Sequence, residues 1–136
     1  MIVKLPEWLA LLFTDQRDKV AVHADLSWYP TEDPQTTVAP DVLVIFGVGQ
    51  KDRPSYVTHL ENGISPQVVF ELGSPGHRKA ELKRKRDFYE KYGVEEYYWL
   101  HLQKKRVDVY IRKGKKLVEQ KDLTSWKSPK LGITLD

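Results

Sequence analysis

Glu71 and Lys85, fourteen positions apart, are the residues of this chain whose types and spacing could do chemistry. Glu71 closes the apolar run Val68-Val69-Phe70, which is bounded by Pro66 and Gly73 and reads as a short buried strand. Ser74-Pro75-Gly76 is turn chemistry, and helical periodicity runs from about Arg78 to Tyr92, stopped by Gly93. At roughly 100° per residue, Leu82, Phe88, Tyr89 and Tyr92 share one arc, with Lys85 at its centre. Lys83, Arg84, Arg86, Asp87, Glu90 and Lys91 point sideways or away; of the basic residues from Arg78 to Arg86, Arg78 and Lys85 aim toward the sheet. Burying an ammonium is costly without a compensating charge, and Glu71 is the nearest candidate partner. A strand-end carboxylate facing an inward lysine is the geometry of a site. The same wheel also fits a lysine that buries its stem and keeps its charge in water. Both readings stand at this point.

The elements that must position these residues follow from the same patterns. Pro6 to Phe13 reads as a short helix, with Glu7 near its start favouring the dipole or facing a site. Val20–Val22 and Leu26–Trp28 read as strand pieces flanking Asp25, and Tyr29–Pro40 as a loop. Asp41 opens the strongly apolar strand Val42–Phe46, and the polar segment Gly47–Gly63 predicts a long excursion across the surface. Beyond the helix come strands at Tyr97–Leu102, Val107–Ile111 and Lys116–Lys121, the last two joined by a hairpin at Gly114. This order predicts an α/β fold, residues 1–136 as a single domain, with a mixed β-sheet flanked by helices. Asp41 and Glu71 stand at opposite ends of two apolar runs. They share a site if their strands are antiparallel or if a bend brings the two ends together.

Composition bounds the function. The 136 residues suit one core, and 40% are hydrophobic. The absence of cysteine excludes disulfides, thiolate metal sites and cysteine nucleophiles, and is compatible with a cytoplasmic home. No apolar run approaches the roughly 18 residues of a membrane span. His23, His59, His77 and His101 lack ligand spacing, which argues against zinc. The net charge of +3 is gathered at Arg78–Arg86, Lys104–Arg106, Arg112–Lys116 and Lys127–Lys130, patches that fit either a polyanion or solvated faces. Tyr97, Tyr98 and Trp99 read as strand core in preference to a base-stacking platform.

Together, PDVLVIFG, VVFELGSPG, the lysine fourteen residues after the glutamate and FYEKYGVEEYYW resemble the Uma2 (DUF820-type) family. These are small cyanobacterial-type proteins of unknown function, similar in turn to PD-(D/E)xK nucleases of restriction-endonuclease-like fold. ADLSWYP and SYV…NGISPQVVFE extend the likeness over about Val22 to Leu100. The resemblance implies an endonuclease that hydrolyses DNA phosphodiesters with Mg²⁺, or Mn²⁺ in its place. Asp41 and Glu71 become the motif acids that hold the ion with the backbone carbonyl of Leu72, and hard oxygen donors suit that metal. The superfamily lysine two residues after the glutamate is absent here, where Gly73 stands, and Lys85 is the matching amine moved to the helix. Accessory roles fall to Asp25 in the ADLSWYP segment, to Glu81 as a partner of Lys85 or Arg78, and to His77 near a phosphate. Arg78, Lys79 and Arg84 are the expected nucleic-acid contacts. His101 stands where relatives often carry an acid, and beyond Glu7 no acid from a first helix is identifiable. A homodimer would double the basic surface. The alternative is a nuclease-fold module that binds nucleic acid or protein without cleaving.

Overall fold

The computed structural model describes residues 5–73, 79–101, 106–121 and 125–135. The chain forms two compact units, residues 1–66 and 67–136.

In the first unit, helix α1 (Leu5–Leu12) buries Leu9, and a short 3₁₀ turn leads into strand β1 (Val20–Ala24). β1 pairs antiparallel with β3 (Val42–Phe46) in the register Val22↔Val44 and Ala24↔Val42. β3 is buried along Val42–Ile45, as a continuous apolar run demands. Phe13 and Phe46 meet edge to face, with centroids 5.5 Å apart. Between them the two-residue strand β2 (Trp28–Tyr29) pairs parallel with β4 (Tyr56–Val57). The expected surface excursion Gly47–Gly63 holds for most of its residues but not throughout, since Val48, Tyr56 and Thr58 are buried. It carries β4 and a 3₁₀ turn at Thr58–Leu60, and Tyr56 within it is fully buried. Its polar composition is absorbed by internal partners: the Tyr56 hydroxyl donates to the Ile64 carbonyl at 2.6 Å, and the Trp28 indole donates to Thr58 Oγ1 at 3.0 Å.

The second unit opens with β5 (Val68–Gly73), crosses over through α2 (Lys79–Lys91) and returns as β6 (Glu96–His101), parallel to β5. β7 (Arg106–Lys113) and β8 (Lys116–Gln120) follow antiparallel, so the sheet is mixed as expected. A two-residue pair, β9 (Trp126–Lys127) with β10 (Thr134–Leu135), ends the chain. Gly93, at φ +93°, lets the chain leave α2 in a left-handed conformation open to glycine. The Arg112 side chain then satisfies the exposed end of the helix, donating to the carbonyls of Glu90 at 2.6 Å and Val94 at 2.9 Å. Side chains alternate across the sheet. Val69, Glu71, Tyr97 and Trp99 face one way, and Val68, Phe70, Glu96 and Tyr98 the other. Helix α2 covers the first face, where Tyr89 meets Tyr97 at 5.1 Å between ring centroids.

Candidate functional site

Strand β5 and helix α2 build the core of the site. Glu71 is 2% exposed on β5, among Val68, Val69 and Phe70, each fully buried. A carboxylate in such surroundings needs compensation. It comes from α2, whose Lys85 donates from Nζ to Oε1 at 3.2 Å and to Oε2 at 3.3 Å. Lys85 keeps 16% of its side-chain surface exposed, so its stem is covered while the ammonium stands on the carboxylate. The sequence left open whether this lysine snorkels or pairs, and the geometry decides for the pair.

One helical turn beyond Lys85, the hydroxyl of fully buried Tyr89 donates a short hydrogen bond to Glu71 Oε2. Positions i and i+4 share a helix face, which is why both side chains reach one strand residue. Sequence reading placed Tyr89 on the inward arc as apolar surface and missed its polar end. An inward tyrosine one turn from an inward lysine was the available signal.

The neighbourhood of Gly73 explains why the amine comes from the helix. A Cβ built on Gly73 would fall inside the Trp99 indole, 2.6 Å from Cε2 and 2.8 Å from Cζ2. No side chain fits there unless Trp99 moves, and Trp99 is 4% exposed on β6. The strand position two residues after the acid is thus filled by an indole from the next strand.

The other expected site residues fall as follows. In the first unit, Asp41 immediately precedes β3, and its carbonyl accepts the Asp25 N–H at 3.0 Å. Asp25 is exposed and sits at φ +51°, a left-handed conformation that aspartate tolerates better than most residues. The structure therefore brings the backbones of Asp25 and Asp41 together at one end of the β1–β3 pair. Leu72 lies on β5. Glu81 is on α2, and the acid that Lys85 contacts is Glu71. Arg84 is exposed on α2, which Lys79 begins, while His77 and Arg78 lie outside the described residues. His101 is held by Asp108, Nε2 to Oδ2 at 2.8 Å, and Arg106 braces the same aspartate at 3.3 Å.

Among the described residues, no three His, Asp or Glu side chains gather as a ready-made metal cage. What the unit offers is a buried carboxylate met by an ammonium and a hydroxyl, and carboxylate oxygen is the kind of hard ligand that Mg²⁺ takes.

The Uma2 family model, described as "Putative restriction endonuclease", matches residues 2–135. A solved structure titled as a putative nuclease belonging to DUF820, from Anabaena variabilis ATCC 29413, superposes with a TM-score of 0.65 at 14% identity. The match covers 96% of this chain and 70% of that one, and it shows the shared fold. No curated protein matches the chain. Among the described residues, no helix is long and apolar enough to cross a membrane.

Proposed function

The chain belongs to the Uma2 family, and we propose that it is a Mg²⁺-dependent endonuclease that hydrolyses DNA phosphodiesters. The observation that carries this reading is the ion pair between Lys85 and Glu71, with Nζ 3.2 Å from Oε1, on a carboxylate that is 2% exposed. Pure stability rarely favours a buried ion pair over apolar side chains of the same volume, so its presence here supports a functional use. Glu71, the carbonyl of Leu72 and Asp41 are the groups that would hold the ion; Asp41 enters through the family-like run it opens. When bound, Mg²⁺ or Mn²⁺ lowers the pKa of a coordinated water and neutralises charge gathering on the phosphate.

The chain's own residues do the rest. Lys85 orients the attacking water from the Glu71 side and sets a positive charge against the phosphate oxygens as the P–O bond forms. Tyr89 is a positioning residue, fixing the Glu71 carboxylate through its hydroxyl. The attacking water releases a proton to solvent as its oxygen bonds to phosphorus, the bridging P–O bond breaks, and the departing alkoxide takes up a proton from solvent. The exposed Arg84 supplies a contact to the nucleic-acid backbone of the salt-sensitive kind.

Nicking of supercoiled plasmid by purified protein tests the reading. It should require Mg²⁺ or Mn²⁺ and fall by about 10²-fold or more in Glu71→Gln and Lys85→Ala. Equal nicking by wild type and variants would betray a contaminant and overturn the assignment. A second reading, a non-cleaving module on the same fold, draws support from the internal engagement of both Glu71 oxygens by Lys85 and Tyr89. Metal-independent DNA retention without nicking on any substrate would favour it.

A further inference from the structure

Beside the Glu71–Lys85 pair, on the α2 face of the second unit, lies a groove of about 560 Å³, within the ~300–1,000 Å³ typical of small-ligand sites. Its floor is aromatic: Tyr97 and Trp99 from β6, and Tyr110 from β7. Carboxylates line it from Asp108 on β7 and Glu119 on β8, and Arg86 reaches in from α2. We infer that this groove receives an unstacked nucleobase carrying an exocyclic amino group. The inference deepens the nuclease reading, on which it rests for its choice of nucleotides as ligands.

Three features carry it. Register sets Glu71, Trp99 and Asp108 side by side on consecutive strands, so the indole in the groove wall is the cross-strand neighbour of the site carboxylate. With strands about 4.8 Å apart, a base in the groove lies within one nucleotide of a phosphate at Glu71. Second, consecutive helix residues diverge. Lys85 turns to Glu71, whereas Arg86 turns to β7, where its guanidinium lies 5.3 Å from the Tyr110 ring centroid. That places a cation for a flanking phosphate at the groove's helix side, over the Tyr110 ring, while Tyr97 and Trp99, 2% and 4% exposed, are the strand core beneath.

Third, the acids choose among ligands. Asp108 and Glu119 can accept N–H donors from adenine, cytosine or guanine, while Arg86 and Lys83 on the helix side balance their charge. Thymine has no exocyclic amine to offer. Asp108 is already fixed by His101 at 2.8 Å and by Arg106 at 3.3 Å, so its free lone pairs are held in place before any ligand arrives.

Ligand-observed NMR titration of the metal-free protein in EDTA tests this without cleavage, using the four deoxynucleoside 5′-monophosphates and deoxyribose 5-phosphate. The amino-bearing nucleotides should bind at least tenfold tighter than dTMP or the sugar phosphate. Asp108→Asn should erase most of that ratio. Glu119→Gln, at an exposed residue with little bearing on folding, should reduce it. Equal affinity for all five ligands, or a ratio unchanged in both variants, overturns the inference. Uniform nucleotide binding by a protein whose nicking needs Glu71 would remove the groove and keep the nuclease. Base discrimination by a protein that never nicks would do the reverse.

Discussion

Glu71 and Glu96 sit on neighbouring strands of one unit, 2% and 1% exposed, and face opposite sides of its sheet. Their partners differ in kind. Glu96 accepts from neutral donors: the Tyr98 hydroxyl at 2.7 Å, the Ser128 hydroxyl at 2.5 Å and the Lys130 backbone N–H at 2.7 Å. The same Tyr98 oxygen accepts the Trp126 indole at 3.0 Å, so the cluster fastens the C-terminal segment to the sheet. Glu71 is met by an ammonium and one hydroxyl from a helix, beside an aromatic groove. One buried acid ties chain to chain, and the other holds an ammonium, beside Trp99, a residue that lines the groove. In the proposed reading, the charge of the partner and not burial alone marks the site.

The largest expected effect separates the two acids by activity. Glu71→Gln and Lys85→Ala should lower metal-dependent nicking by about 10²-fold or more, whereas Glu96→Gln in folded protein should nick at nearly the wild-type rate. Loss of nicking in well-folded Glu96→Gln would break the comparison. Stability should not separate them. Glu96→Ala strands the Tyr98, Ser128 and Lys130 donors and should cost about 3 kcal/mol, read by urea unfolding. Glu71→Gln leaves the Lys85 ammonium without its counter-charge and should cost a comparable amount, about 3 kcal/mol, because breaking a buried pair from one side strands the other charge.

A substitution at Gly73 probes why the amine is on the helix. Gly73→Ala drives a methyl into the Trp99 indole, and overpacking of this kind costs about 1–3 kcal/mol. Thermal unfolding should show that loss together with a changed tryptophan emission, since the indole must move. An unperturbed melt would mean that the strand could have carried the lysine itself.

How much of this was legible depends on the range of each signal. Helix α2 and its inward Lys85 are local and periodic, so the expected span of about Arg78 to Tyr92 meets Lys79–Lys91. The strand ending at Glu71 was legible for the same reason. The hydroxyl of Tyr89 was not, because periodicity reports which way a side chain points and says nothing of what its polar end meets. The clash between Gly73 and Trp99 depends on cross-strand register, which the crossover hides. The Glu96 cluster joins residues 32 positions apart and has no local signature. In the excursion after β3, polar composition masked Tyr56, a core residue whose partner strand is only two residues long.

The smallest effect comes from the pair Arg53–Glu61 in the first unit, an ion pair that does structural work. Arg53 Nε lies 2.8 Å from Glu61 Oε2, and Nη1 lies 3.0 Å from His23 Nε2. The Arg53 hydrogen bonds hold the Glu61 carboxyl below its ordinary 4.5, and burial, aided by the Arg53 charge, holds His23 below 6.5. Both folded values are depressed, so the unfolded chain binds these protons more readily. The stability they contribute is full above the unfolded values and drains as pH falls through the folded ones. Melting temperature should therefore decline in two stages, first below about 6.5 from His23 and then below about 4.5 from Glu61. Glu61→Gln should lower stability modestly at pH 7 and flatten the second stage, so that its curve converges on wild type in acid. Curves that run parallel from pH 5 to 3 would show that Glu61 contributes no charge-dependent stability. The contrast would then lose its structural ion pair, and a buried pair alone would regain weight as the mark of a site.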